Sequence, residues 1–266
     1  MEVVFLGTGT GAPSAKRGAP SLLIRAGGFN ILVDAGSGTL RQLARMGLSH
    51  NQLDFVFFTH FHPDHVGDLA PYLFAVRYWP EPARTSPTRV FGPEGFLTLC
   101  SHLRRAFGRW VDPPEDRLVL AELPLGTRHV VDLPGVRVES GPIPHNPESL
   151  GYRLSEAGGP VLAVTGDSDF GPELVDLARG AQVLITECSF PEGRKRYGHL
   201  TPRLAGRAAR EAGVATLALT HFYPETENSD LLAPLGEEFG GEIILADDFL
   251  LLGGSRFAAR MESSSS

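Results

Sequence analysis

The sequence predicts an α/β fold, and two observations predict it. Short apolar runs recur along the chain and end in polar or glycine-rich turns, and helical apolar periodicity fills the gaps between several of them. Such alternation gives a sheet layer with helices packed outside it. At 266 residues, 42% hydrophobic and 21% charged, the chain suits one large α/β domain with a sizeable core.

Taken in order, the first expected strand is Val3–Leu6, followed by Gly7-Thr8-Gly9-Thr10-Gly11. This glycine run lacks the downstream Gly-x-x-Gly spacing and the opening helix of a dinucleotide fingerprint. With Pro13 and the stretch Lys16–Pro20 it reads as a loop, one able to offer backbone N–H groups to a phosphate. Strand Phe29–Val33 leads to helix Gly38–Met46, and strand Phe55–Thr59 leads to helix Asp64–Tyr78, with Pro63 at a first-turn position. Tyr78–Pro93 is proline-rich and reads as irregular, as does Arg109–Gly126, with helix Gly95–Phe107 between them. Strand Val161–Thr165, helix Glu173–Arg179, strand Val183–Thr186 and helix Pro202–Ala212 follow, the last with Pro202 after Thr201 as a start signal. Strand Thr216–Thr220, helix Leu231–Phe239 and strand Ile243–Ala246 complete the pattern. Residues 1–262 are expected to form one domain, and 263–266 a frayed serine tail.

No apolar run approaches the roughly 20 residues that span a bilayer, and MEVVFLGTGTG reads as a strand rather than a leader. Cys100 and Cys188 are not spaced as a zinc knuckle or redox pair and suit a reducing compartment, so the expectation is a cytoplasmic protein without membrane contact. A net charge of −7 argues against non-specific nucleic-acid binding through the whole surface.

Chemistry concentrates just past the carboxyl ends of the expected strands, where open α/β sheets bind ligands: Asp34, His60–His65, Asp167, Glu187, His221 and Asp247. The densest stretch is FFTHFHPDHVGDL, in which His60, His62, Asp64 and His65 fall within six residues. Neutral imidazole and carboxylate are the ligands of catalytic zinc, whereas structural zinc favours thiolates. In an extended loop His60 and His62 can face one ion, while Asp64 and His65, starting a helix, turn toward another point. Four local ligands cannot complete two open sites. His145 in PIPHNPESLGYRL, Asp167 in AVTGDSD and His221 in ALTHFYP supply what is missing, and Glu187 in LITECSF and His199 in GHLTP stand in similar settings. Two basic runs, His102–Arg105 and Arg194-Lys195-Arg196, read as a solvated helix face and as a cation cluster beside His199 that can steer an anion.

These motifs resemble the metallo-β-lactamase-fold superfamily over nearly the whole chain. LGTGTGAPSAKRGAPSLLI, LVDAGSGTLRQL, FTHFHPDHVGDL, TGDS, TECSF, HLT and LTHFYP are similar to its ribonuclease Z-like branch. The resemblance implies a four-layer αββα sandwich of two similar halves, with a dinuclear site, usually of zinc, between the sheets. It places His60, His62 and His145 on one metal, Asp64, His65 and His221 on the other, and Asp167 between both, with Asp34 orienting a ligand. Manganese or iron could replace zinc with these ligands. Two cations about 3.5 Å apart lower the pKa of a shared water to near neutrality. The branch also pairs a histidine at the position of His199 with the glutamate at Glu187 as proton donor to the leaving oxygen. Relatives are often dimers, so a homodimer is the expectation.

One departure bears on substrate. Ribonuclease Z enzymes carry a long tRNA-gripping arm between the third histidine and the shared aspartate, but here GYRL, a GG turn and a strand fill the stretch from His145 to Asp167. The expected function is therefore a zinc-dependent phosphodiesterase acting on a small phosphodiester or short nucleic acid, with Asp64, Glu187 and His199 at the chemistry, rather than one acting on full-sized tRNA. The alternatives are a ribonuclease, a carboxylic ester, thioester or lactone hydrolase, and a metal-stabilised binding module.

Overall fold

A computed structural model describes residues 1–79, 81 and 85–253; the serine tail expected at 263–266 lies outside the described residues. Two seven-stranded sheets face each other. The first holds β1 (Glu2–Gly7), β2 (Ser21–Ala26), β3 (Phe29–Val33), β4 (Phe55–Phe57), β5 (Thr88–Pro93) and β6 (Leu118–Leu123), adjacent in chain order. The second holds β7 (His129–Leu133), β8 (Val136–Pro142), β9 (Leu150–Glu156), β10 (Val161–Val164), β11 (Val183–Glu187), β12 (Thr216–Thr220) and β13 (Glu242–Leu245). The last strand, β14 (Leu251–Gly253), returns to the first sheet and pairs antiparallel with β1.

Outside the first sheet lie α1 (Thr39–Arg45), α2 (Pro63–Val66), α3 (Leu69–Tyr78) and α4 (Phe96–Phe107). Outside the second lie α5 (Pro172–Ala178), α6 (Pro202–Ala212) and α8 (Leu232–Glu238), while α7 (Pro224–Glu227) is a single turn after β12. The αββα sandwich is thus present. The strand pleat explains its three apolar layers. In β1, Val3 and Phe5 meet the opposite sheet, whereas Val4 and Leu6 meet the helices. In β12, Ala218 faces the other sheet while Leu217 and Leu219 face α5, α6 and α8. Strands buried on both faces read as continuous apolar runs.

Several expectations need correction. The irregular stretches contain β5 and β6, which pair in parallel from Thr88 opposite Leu118 to Pro93 opposite Leu123. β6 was hidden because only Leu118 and Leu123 of it are fully buried. The helix expected over Asp64–Tyr78 is broken after Val66. There a Cβ on Gly67 would lie 2.2 Å from Ser37 Oγ, and the next residue, Asp68, turns away to accept from Gly38 N (3.0 Å) and Leu40 N (2.8 Å) at the start of α1.

Strands β3 to β6 pair in parallel, as do β10 to β13. Their carboxyl ends point to one edge of the sandwich. Between His145 and Asp167 the chain is a plain β9–β10 hairpin, with Val161 opposite Ser155 and no projecting element. Leu150 N donates to Thr59 O (2.9 Å) and the Tyr152 hydroxyl to Phe58 O, tying the two sheets together beside that edge.

Candidate metal centre

The centre starts where β4 ends. Phe58 N still donates to Phe91 O (2.8 Å), but Thr59 turns out of the ladder and residues 60–62 run extended. Successive side chains then alternate. His60 and His62 fall on one side with rings 4.5 Å apart, while Phe61 stacks against Phe96 on the other. Pro63 opens α2, and its first turn carries Asp64 and His65.

Among the described residues the ligand-type atoms fall into a side group of Asp167, Glu187 and His199 and two main groups, His60, His62, His145 and Asp167 in one and Asp64, His65 and His221 in the other, with the atoms of each group within 4.8 Å of one another. Asp167 reaches both. Its Oδ2 lies 3.9 Å from His60 Nε2 and 3.8 Å from His145 Nε2, and its Oδ1 lies 3.2 Å from both His65 Nε2 and His221 Nε2. His221 Nε2 is also 3.4 Å from Asp64 Oδ2. Every ligand expected from the sequence is brought together here.

The opposite ring nitrogens are anchored. His65 Nδ1 donates to Asp34 Oδ2 (2.8 Å), and the same carboxylate accepts from Thr59 N and Thr59 Oγ1 (2.8 Å each). His60 Nδ1 faces Thr59 Oγ1 (3.0 Å), His145 Nδ1 donates to Gly198 O (2.6 Å) and His221 Nδ1 to Ser189 Oγ (2.8 Å). His62 turns the other way, Nδ1 inward and Nε2 3.0 Å from the Asn146 amide. The bonds of His60, His65, His145 and His221 fix ring tautomers so that a bare nitrogen faces the cluster, whereas His62 Nε2 accepts from the Asn146 amide nitrogen. Thr59, Asn146, Ser189 and Gly198 were missed in the sequence, although Thr59, Asn146 and Gly198 directly flank His60, His145 and His199 and Ser189 lies two residues past Glu187. Asp34 and His221 hold left-handed backbone (φ 59 and 58), the kind of strain that collects at functional sites.

Burial and charge act oppositely across the cluster. Burial, then repulsion by His65, holds the His60 pKa well below its ordinary value; burial and His145 lower that of His62. For His65 burial acts downward too, but the Asp167 and Asp34 carboxylates outweigh it and push the pKa well up. Burial would raise the Asp167 carboxyl; His221, His65 and His60 hold it well down instead, and Asp64 is lowered through His221 in the same way. A divalent cation fits this set. His60 Nε2, His65 Nε2 and Asp167 Oδ1 are buried without a hydrogen-bond partner, which is costly unless something cationic faces them.

Glu187 and His199 sit beside Asp167 yet form a unit of their own. Glu187 is fully buried, and its two oxygens accept from Ser168 N (2.9 Å), Ser189 N (3.1 Å), Leu200 N (3.3 Å) and His199 Nδ1 (2.8 Å). That leaves Glu187 saturated as an acceptor rather than free to ligate. Burial alone would lower the His199 pKa, but the Glu187 bond and charge, with Asp167 behind them, raise it. An imidazole whose protonated form is favoured by Glu187 and Asp167, partly open to solvent, faces the cluster.

The model of the beta-lactamase superfamily domain matches residues 29–222, which contain every one of these groups. The chain belongs to the metallo-β-lactamase superfamily. Within the superfamily, the ribonuclease Z of Mycobacterium marinum is 33% identical, covering 93% of this chain and 96% of that one. The solved human tRNase Z, short form (ELAC1), superposes with a TM-score of 0.77 at 25% identity, over 95% of this chain and 99% of that one. The metallo-β-lactamase fold protein YhfI from Bacillus subtilis reaches 0.81 at 23% identity, over 95% and 99%. With its paired His/Asp groups, this superfamily member is a metal-dependent hydrolase of the nuclease and phosphodiesterase kind. Among the described residues no helix is long and apolar enough to cross a membrane.

Proposed function

We propose that the protein is a dinuclear zinc phosphodiesterase. His60, His62 and His145 would hold one ion, Asp64, His65 and His221 the other, and Asp167 both, with manganese or iron as substitutes for this nitrogen–oxygen donor set. When bound, two such cations supply positive charge to the phosphoryl oxygens and make water a competent nucleophile near neutral pH.

The protein's own part is to place those ligands, to exclude bulk water and to supply a proton. The observation that carries the reading is the 2.8 Å His199–Glu187 hydrogen bond beside Asp167. Its effect is to favour the protonated form of His199. A phosphodiester expels an alkoxide, and a positioned acid that protonates it is worth roughly 10²–10⁴ in rate. A β-lactam hydrolase has less use for such a donor. The relatives named ribonuclease Z favour RNA as a second reading. The bare β9–β10 hairpin, which offers nothing to grip a distant part of a folded RNA, supports a small phosphodiester or short strand instead. A homodimer is part of the proposal on the strength of relatives alone.

The test is His199→Ala in zinc-loaded protein, assayed on bis-p-nitrophenyl phosphate, cyclic nucleotides, precursor tRNA and a lactone, with metal analysis alongside. Alkyl phosphodiester turnover should fall by roughly 10²–10⁴ with metal content unchanged. Full activity in the variant, or wild-type turnover of the lactone alone, would sink the proposal.

A further inference from the structure

The loop joining β11 to α6, residues 188–201, walls one side of the metal centre and carries a cation that no described residue neutralises. Of its basic run, Arg194 pairs with Glu225 (3.2 Å) and Lys195 with Asp169 (2.7 Å). Steering by the whole run is thereby muted. The Arg196 guanidinium has no carboxylate or hydrogen-bond partner among the described residues. It lies instead over the ring of Phe190, 4.7 Å from the centroid. Phe190 meets His199 edge-on at 5.3 Å and stacks on Tyr223 at 5.0 Å. The Tyr223 hydroxyl also makes no hydrogen bond among the described residues, and its ring lies 6.0 Å from that of His221. Tyr197 stands beside Arg196 with 90% of its surface exposed.

A stacked guanidinium loses little freedom on binding and keeps its N–H donors for a phosphate, and a phenol without a partner adds one more donor. Phe190 is the shared neighbour of Arg196, Tyr223 and His199. If His199 protonates the leaving oxygen, these two groups face whatever that oxygen carries. We propose that Arg196 and Tyr223 form a subsite for a second phosphate on the leaving-group side of the scissile bond, so that the preferred substrate is a short nucleotide chain rather than an isolated diester. This rests on the phosphodiesterase reading with His199 as acid. In that reaction the water oxygen bonds to phosphorus and the bond to the leaving oxygen breaks. The His199 proton ends on the leaving oxygen and a water proton is released.

The experiment compares the thymidine dinucleotides TpT, pTpT and TpTp on zinc-loaded protein. Product analysis shows which fragment departs with a free hydroxyl. A terminal phosphate on that fragment should lower KM roughly 10–100-fold relative to TpT in the wild type, as a charge-assisted contact does. One on the other fragment should give no gain. In Arg196→Ala the gain should collapse toward unity. Arg196→Lys should keep part of it, and Tyr223→Phe, which preserves the stack on Phe190, should lose part. Equal KM for all three substrates in the wild type, or a gain that survives Arg196→Ala, would overturn the subsite and leave the phosphodiesterase reading standing. Failure of the wild type to cleave any of them while it opens a lactone would overturn the reading beneath it.

Discussion

Asp34→Asn tests the ligand geometry with the least disturbance to the backbone. Asn tolerates the left-handed conformation (φ 59) that Asp34 adopts, so the fold has no reason to change. The hydrogen bonds do change. Asp34 Oδ1 accepts from Thr59 N, and Oδ2 accepts from both Thr59 Oγ1 and His65 Nδ1. With the amide nitrogen at the Oδ1 position, it would oppose the Thr59 N–H, donor against donor. With the nitrogen at the Oδ2 position, the Thr59 hydroxyl can turn to accept, but His65 Nδ1 cannot. His65 must keep its proton on Nδ1 if Nε2 is to face a metal, so the second orientation leaves N–H against N–H.

Losing a charge-assisted bond costs about 1.5–3 kcal/mol, or roughly 10–100-fold in affinity, the size found when such orienting partners are removed. The loss should fall on one ion, that of Asp64, His65 and His221. The assay is titration of metal-stripped protein with zinc against a chromophoric chelator, resolving two binding steps. One step should weaken by that factor and the other change little. Two unaltered steps would refute the reasoning, as would loss confined to the His60, His62 and His145 side.

Three further outcomes follow from the same geometry. Glu187 raises the His199 pKa, and a general acid works only while protonated, so the alkaline limb of kcat on an alkyl phosphodiester should move to lower pH in Glu187→Gln; a shift to higher pH contradicts the assignment. Gly166 has φ 66, and a Cβ there would lie 2.7 Å from Thr59 Oγ1, whereas Gly180 has φ 70 and open space. Both alanine variants should lose about 1–2 kcal/mol to the left-handed backbone, read as melting temperature, but only Gly166→Ala should also lose most of its activity; equal activity in the two would show that Thr59 does not transmit the displacement. Zinc at about 100 times its Kd should raise the Tm of metal-stripped protein by about 5–10 °C per site, from roughly 2.7 kcal/mol of linkage; no shift would mean that His60, His65 and Asp167 do not need a cation.

The parts legible in the sequence were those that a short stretch encodes by itself. HFHPDH carries its own geometry, because alternation in an extended loop and one proline-started turn suffice to split it. Asp167, Glu187 and His221 were legible because parallel strands buried on both faces stand out as apolar runs, and the residue past each run lies at the functional edge. β7, β8 and β9 were missed for the converse reason: they mix buried and exposed residues in an antiparallel arrangement, as in His129–Leu133, where Val131 and Leu133 alone are buried. Asn146, Ser189 and Gly198 were out of reach because what they do depends on loops from different strands meeting. Gly198 shows this best: its carbonyl receives the His145 proton, and a Cβ there would sit 2.9 Å from the same ring.

That distribution bears on substrate choice. Most of the ligands, and Glu187, lie at or just past strand ends whose positions are set by both sheets, so they can vary little without loss of the fold, while His199 rides on the loop after β11. The hairpin between His145 and Asp167 contributes no reach. Selectivity must therefore come from the rim, and two loops form it. Residues 10–20 border a cleft of about 450 Å³ that opens at Asp64. Residues 188–201 set Arg196 and Tyr197 beside His199. The first loop is pinned by Asp248, which accepts from Thr8 N (2.9 Å) and Gly18 N (2.7 Å), and by the Arg17–Glu227 ion pair. A pinned loop selects by shape, whereas Arg196, with Tyr223 stacked on the same Phe190 ring, selects by charge and hydrogen bonding. Arg196, unneutralised among the described residues, thus lies beside the loop's His199, which on the proposed reading puts it with what leaves rather than with what stays.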